Sequence, residues 1–145
     1  MEAGYAGESR ILVSLPRKMA AISIAQRVSD ENNTELGQDI GYRVRFETKV
    51  SDNTKIEYVT DGTLIQIIMS NPLVEGYSVV LLDDIHERTL NTDLLICLIK
   101  KIQKKRPELK VIVSSATMEV DLLANFFPDS KILTVRGRNY DVDVP

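Results

Sequence analysis

The chain has one cysteine, one histidine, no cationic excess and no long apolar run, and each shortage removes a class of function. A lone cysteine closes no internal disulfide. The apolar helical neighbours of Cys97 (Leu94, Leu95, Leu98, Ile99) suggest a buried structural thiol in a reducing compartment. With His86 the sole histidine, no Cys/His zinc set and no nucleophile–histidine–acid arrangement is apparent. A net charge of −3 and a pI of about 5.2 argue against a basic coat, though not against a local basic groove. No stretch approaches the roughly 20 apolar residues of a membrane span. The start, Met-Glu-Ala-Gly-Tyr, lacks the cationic and apolar regions of a secretory signal, so a soluble protein without a membrane partner is expected. The last absence is chemical. None of the seven glycines is followed by Lys, so there is no G-x-x-x-x-G-K-[ST] loop to cradle phosphates.

What is present fits one α/β domain of 145 residues. Ile11-Leu12-Val13-Ser14-Leu15 reads as a buried strand, and Pro16 is placed to open a helix carrying Ala20, Ala21, Ile24, Ala25 and Val28 to about Glu31. Ile40 to Glu47 alternates loosely, as a half-buried strand or extended segment should, and Lys55 to Val59 forms another strand. Thr60 or Asp61 caps a helix that Asn71-Pro72 ends. After Val79-Val80-Leu81-Leu82, a helix from Asn91 or Thr92 runs to Pro107; Lys110 to Ser114 is a strand, Glu119 to Phe127 a helix, and Lys131 to Val135 a final strand. Strands alternating with helices imply right-handed crossovers and a mainly parallel sheet covered on both faces.

The chemistry gathers at strand ends. Asp83-Asp84-Ile85-His86 closes a buried strand, and a strand ending in acids delivers carboxylates to the edge where α/β folds bind ligands. Hard Mg²⁺–phosphate groups need carboxylate oxygens there. His86, directly after the acids, reads as part of a polar network. Ser115-Ala116-Thr117 follows the next strand, and its hydroxyls could reach the acidic loop; alone, it is a helix cap. Thr60-Asp61-Gly62-Thr63 is by itself a turn and N-cap with amides open to a phosphate. Pro16-Arg17-Lys18 puts two cations in a first helical turn, the unfavourable end of the dipole, which an anion there would explain. The run Lys100, Lys101, Lys104, Lys105, Arg106 lies in last turns and reads as solvated surface.

In order, Pro16-Arg17-Lys18-Met19-Ala20-Ala21, Gly41-Tyr42-Arg43-Val44-Arg45-Phe46-Glu47, Thr60-Asp61-Gly62, Asp83-Asp84-Ile85-His86-Glu87-Arg88-Thr89 and Ser115-Ala116-Thr117 resemble the first RecA-like domain of DEAH-box RNA helicases, closest in look to the spliceosomal branch. The resemblance covers essentially the whole chain. It implies ATP-driven remodelling of RNA or RNA–protein complexes, with ATP and Mg²⁺ as cofactors, RNA backbone and spliceosomal proteins as partners, and a nuclear or alternatively cytoplasmic location. Residue by residue, it implies Asp83 holding Mg²⁺ through water, Asp84 and His86 as catalytic neighbours, and Ser115, Ala116 and Thr117 as coupling residues. It implies Pro16, Arg17, Lys18, Thr60, Asp61 and Gly62 on the RNA backbone, with little sequence preference.

Three departures qualify this. Asp84 stands where the family has Glu, one methylene short of the water it should activate, and Ile85 replaces Ala. The family's phosphate loop, its strand and the second RecA-like domain are not in the chain. Residues 1–135 are thus expected to form a partial RecA-like unit, incomplete at its N-terminus, with 136–145 starting a connection to a second one. The resemblance places the absent strand beside the acidic one. A chain so cut is expected to be nearly inactive alone. The rival expectations are a non-enzymatic RNA- or protein-binding module, or a truncated product.

Overall fold

The computed structural model describes residues 9–85, 89–116 and 120–135. Six strands form one sheet: β1 (Arg10–Leu15), β2 (Ile40–Val44), β3 (Glu47–Lys49), β4 (Ile56–Thr60), β5 (Tyr77–Leu82) and β6 (Lys110–Val113). Their order is β3-β2-β4-β1-β5-β6. Every pairing is parallel except the short β2–β3 hairpin. Four helices, α1 (Lys18–Glu31), α2 (Asp61–Ser70), α3 (Leu90–Lys105) and α4 (Val120–Phe126), complete the described fold.

The sheet is covered on both faces because alternate residues of its central strands are apolar on both sides. Leu12, Val59 and Val80 point to a core with Leu64 of α2 and Leu95 and Ile99 of α3. Val13, Leu15 and Tyr58 point the other way, against Ala21 and Ala25 of α1. Crossovers of one hand explain the division. The chain leaves β1 toward β2 through α1, but leaves β4 and β5 in the opposite direction through α2 and α3, so the helices fall on opposite faces.

Local chemistry sets the helix starts. Thr60 caps α2, its hydroxyl accepting the Thr63 amide at 3.4 Å, and Thr89 caps α3 by accepting the Thr92 amide at 3.1 Å. Each such cap contributes about 1 kcal/mol. The α3 cap moves the start of that helix upstream of Asn91. Its inner face is then Thr92, Leu95, Ile99 and Ile102, which turns Cys97 outward. The expectation of a buried thiol is corrected: Cys97 is exposed. Arg106 is not a solvated cation either. Its guanidinium donates to the carbonyls of Leu73, Val74 and Tyr77 at 2.8–3.1 Å, clamping the end of α3 to the loop before β5.

Three further expectations change. The single strand from Ile40 to Glu47 is a hairpin: Val44 pairs with Glu47, leaving Arg45 and Phe46 as a two-residue turn. A Cβ at Gly41 would collide with the Lys49 backbone oxygen, so the returning strand approaches at a distance only glycine allows. Lys131 to Val135 forms no strand; Ile132, Leu133 and Val135 are exposed, and none of the described residues pairs with them. Finally, β5 is flanked on both sides, by β1 and β6. No place for another strand exists beside the acidic one. The edges open among the described residues are β3 and β6.

A buried carboxylate ties four strands at the amino-terminal half of the sheet. Glu57 of β4 is fully buried. Arg10 of β1 lies 3.2 Å from one of its oxygens, Arg43 of β2 is 3.1 Å from the other, and the Tyr77 hydroxyl of β5 donates at 3.0 Å. Burial, then the Glu57 charge, pushes the Tyr77 phenol up to about 12.

Candidate nucleic-acid groove and acidic loop

The carboxyl ends of the parallel strands carry the chemistry. At the end of β5, the Asp83 amide donates to the Ser14 carbonyl at 2.9 Å, which extends the β1–β5 ladder by one residue. Asp83 Oδ1 accepts the Asp84 amide at 2.9 Å and the Ser114 hydroxyl. Asp84 has a left-handed backbone (φ 54°), which Asp tolerates better than most side chains. Both acids are half-buried. The added bulk of Ile85 goes into the core, where it is 4% exposed.

Ser114 pins this loop three times. Besides its hydroxyl on Asp83, its amide donates to Leu82 O at 2.9 Å and its carbonyl accepts the Ile85 amide at 3.2 Å. Motif reading looked for hydroxyls on this loop at Ser115 to Thr117; Ser114, the residue before them, supplies one. The signal that finds Ser114 is register: Val113 pairs with Leu82, so the residue after each strand faces its counterpart. Ser115 and Ala116 follow, exposed, at the same sheet edge. His86 and Thr117 lie outside the described residues.

A negative charge at Asp83 is felt across the sheet. Tyr58 of β4 has its phenol pushed up, chiefly by burial and then by Asp83 and Glu31. Among the described residues, no three His, Cys, Asp or Glu side chains gather closely enough to hold a metal. Mg²⁺ is usually held by one or two carboxylates with waters and substrate phosphates. Asp83, with one oxygen already engaged, fits that role for a Mg²⁺ that arrives with a nucleotide. The ion would supply charge neutralisation for the phosphates.

The second feature is an open groove of about 480 Å³. Pro16 and Lys18 line it from the end of β1, Thr60, Gly62, Thr63 and Gln66 from the end of β4 and α2, Asn91 from α3, and Arg45 from the β2–β3 turn. Four of the six residues expected on an RNA backbone therefore share one concavity. Arg17 precedes Lys18 as the exposed N-cap of α1. Arg45 was not singled out from the sequence as a site residue; only the hairpin turn brings it here. Among the described residues the lining carries two cations and no carboxylate, although the whole chain has a net charge of −3.

Asp61 behaves differently from its neighbours. It is 5% exposed, and its carboxylate is turned inward. Ser14 Oγ donates to one oxygen at 2.7 Å and Thr92 Oγ1 to the other at 2.8 Å. Both hydroxyls are buried. A single carboxylate therefore joins β1, the first turn of α2 and the first turn of α3, while Thr60 and Gly62 on either side of it face the groove.

The chain matches no family model. It is 46% identical over 148 aligned residues to the ATP-dependent RNA helicase DHX33 of Mus musculus, and equally to that of Homo sapiens. Each alignment takes in 99% of this chain but 21% of the relative, so the chain spans about a fifth of the length of the curated relatives it matches.

Proposed function

We propose that this chain, similar over 99% of its length to one stretch of an ATP-dependent RNA helicase, is part of the first RecA-like unit of a DEAH-box enzyme, gripping the RNA backbone through the Lys18–Arg45 groove. The observation that carries the reading is the groove's charge. Two cations and several amide and hydroxyl groups, brought from the ends of three strands, meet with no lining carboxylate among the described residues, in a chain that is acidic overall. The groove also takes in the amino ends of α1 and α2, whose free amides favour anions. Backbone contacts of this kind carry little sequence information.

In this reading Asp83 holds Mg²⁺ through water, and Asp84 stands beside it as a shortened water-positioning acid. Ser114 fixes the Asp83 rotamer. Hydrolysis needs positioning of the β- and γ-phosphates as well, and a Gly-rich cradle with its Lys does that in phosphate-loop enzymes. The 145 residues contain no such loop. The polypeptide by itself is therefore an RNA-binding unit, not a complete ATPase. Nothing among the described residues favours a spliceosomal partner over another RNA-bound assembly.

Salt dependence tests the groove. Each cation that neutralises a phosphate of a single strand contributes a slope of about −0.7 to log K against log salt. Lys18 and Arg45 together should give about −1.4, a roughly sevenfold loss of affinity between 50 and 200 mM salt. Lys18→Ala with Arg45→Ala should remove most of that slope in an anisotropy titration with labelled RNA. An unchanged slope in the double variant, or no RNA binding by the native chain, would overturn the assignment.

A further inference from the structure

The outer face of α3 carries a concentration of charge that folding alone does not explain. Lys100, Lys101, Lys104 and Lys105 cover about 140° of the helix, turned away from the inner face of Leu95, Ile99 and Ile102. Spacings of three and four set Lys104 beside both Lys100 and Lys101, and Lys105 beside Lys101. Like charges so placed destabilise a helix. The helix dipole accounts for Lys104 and Lys105 in the last turn, but not for the pair one turn earlier. Among the described residues none of the four forms an ion pair. The one acid of α3, Asp93, stands about 10 Å before Lys100 along the axis. In α1, by contrast, Arg27 meets Glu31 at 3.1 Å with the same spacing of four. The chain has 21 acids for 18 basic residues, so the shortage of partners is local to this face.

The face is also partly apolar. Leu94, 45% exposed, and the exposed Cys97 lie within two turns of the lysines. The Lys100 ammonium rests 4.2 Å from the centroid of the Phe126 ring of α4, which holds one cation in place beside an aromatic surface. We propose that this face docks an acidic segment of a partner protein, in which carboxylates are interspersed with a few apolar side chains. The carboxylates would neutralise the lysines and relieve their repulsion, and the apolar side chains would cover Leu94 and the lysine stems. A nucleic-acid backbone offers phosphates but nothing for the apolar part. The face has four Lys and no Arg, the side chain best shaped for phosphate. The surface is distinct from the groove: Asn91, in the first turn of α3, lines the groove, and Lys104 lies about 20 Å further along the axis.

Three labelled peptides of about 15 residues, long enough for four helical turns, test the surface: glutamates interspersed with leucines, the same sequence with Gln for every Glu, and glutamates alone. The native chain should bind the Glu/Leu peptide more tightly than either of the others. Lys101→Gln with Lys104→Gln and Lys105→Gln should weaken that binding on the order of tenfold, the sum of three exposed ion pairs, and should remove most of its salt dependence. These lysines are exposed and Lys100 keeps its contact with Phe126, so the triple variant should melt no lower than the native chain. Its affinity for labelled single-stranded RNA should be unchanged, and Lys18→Ala with Arg45→Ala should leave peptide binding as it was. Equal binding of the Glu/Leu peptide by native chain and triple variant, or no binding to the native chain, overturns the proposal. So does a loss of RNA affinity in the triple variant, which would assign the lysines to nucleic acid.

Discussion

Asp61 offers the sharpest separation between a residue that touches RNA and one that holds the site together. Replacing it by Ala removes the acceptor of two buried hydroxyls, those of Ser14 and Thr92, which are 0% and 3% exposed. A hydrogen bond to a charged group is worth about 1.5–3 kcal/mol; the Ser14 hydroxyl loses its acceptor outright, while the Thr92 hydroxyl keeps the Thr89 hydroxyl at 2.9 Å. The acid also sits in the first turn of α2, where it contributes roughly 0.3–1 kcal/mol against the dipole. Together these put Asp61→Ala at about 3–5 kcal/mol, a large share of the roughly 5–15 kcal/mol that a domain possesses. In a thermal melt followed by circular dichroism this is a loss of roughly 10–16 °C. Ser14→Ala, which removes one donor, should cost about 1–2 kcal/mol, and the two changes together should be clearly less than additive. At a temperature where the Asp61→Asn protein stays folded, its RNA affinity should lie within about twofold of native, because the carboxylate faces away from the groove. The reasoning is refuted if Asp61→Ala melts within a degree or two of the native chain, or if Asp61→Asn keeps its stability and loses RNA binding.

Two further outcomes follow from the same geometry. The Tyr77 phenol is raised from 10 to about 12, so the fold favours its neutral form; that stability is complete below pH 10 and is lost as pH climbs from 10 to 12, on the order of 2 kcal/mol. Urea midpoints of the native chain should therefore fall more steeply over that window than those of Tyr77→Phe, and parallel curves would contradict the buried Glu57 contact. The purified 145-residue chain should show no RNA-stimulated ATP hydrolysis; turnover that Asp83→Ala abolishes would mean that another segment supplies the phosphate cradle.

The repeating strand-and-helix pattern was legible because central strands announce themselves. Val79 to Leu82 is a continuous apolar run and Ile11 to Leu15 is one broken only by Ser14, and Thr60 and Asn71 bracket α2 as chemistry dictates. The α/β class, the mainly parallel sheet and helices on both faces followed. Edges were less legible. Glu47-Thr48-Lys49 has no apolar face, so period-2 reading merged it with β2, and only pairing separates the two. Lys131 to Val135 has the right composition for a strand, but composition does not provide a neighbour to bond with. Cys97 failed for a geometric reason: it lies two residues from Leu95, about 200° around the helix, so apolar neighbours in sequence are not neighbours in space. Of the site, the segments were visible and their grouping was not. Ser114 and Arg45 enter through strand register and a two-residue turn, neither of which a motif records.

The strand order explains why the two features lie where they do. In open α/β sheets a crevice forms outside the carboxyl ends of adjacent strands whose connections leave toward opposite faces. Here β1 sends its chain to the α1 face, while both its neighbours, β4 and β5, send theirs to the α2–α3 face. β1 is therefore bordered by such a crevice on each side. The β1–β4 side opens between Pro16 and Lys18 on one strand end and Thr60 and Gly62 on the other, which is the groove. The β1–β5 side opens where Asp83 follows Leu82, which is the acidic loop. Ser14, next to last in β1, belongs to both: its hydroxyl goes to Asp61 beneath the groove, and its carbonyl takes the Asp83 amide. The proposed RNA grip and the proposed Mg²⁺-holding acid thus need no long route between them. Strand order brings both crevices to β1, and Ser14 joins them through one side-chain bond and one backbone bond.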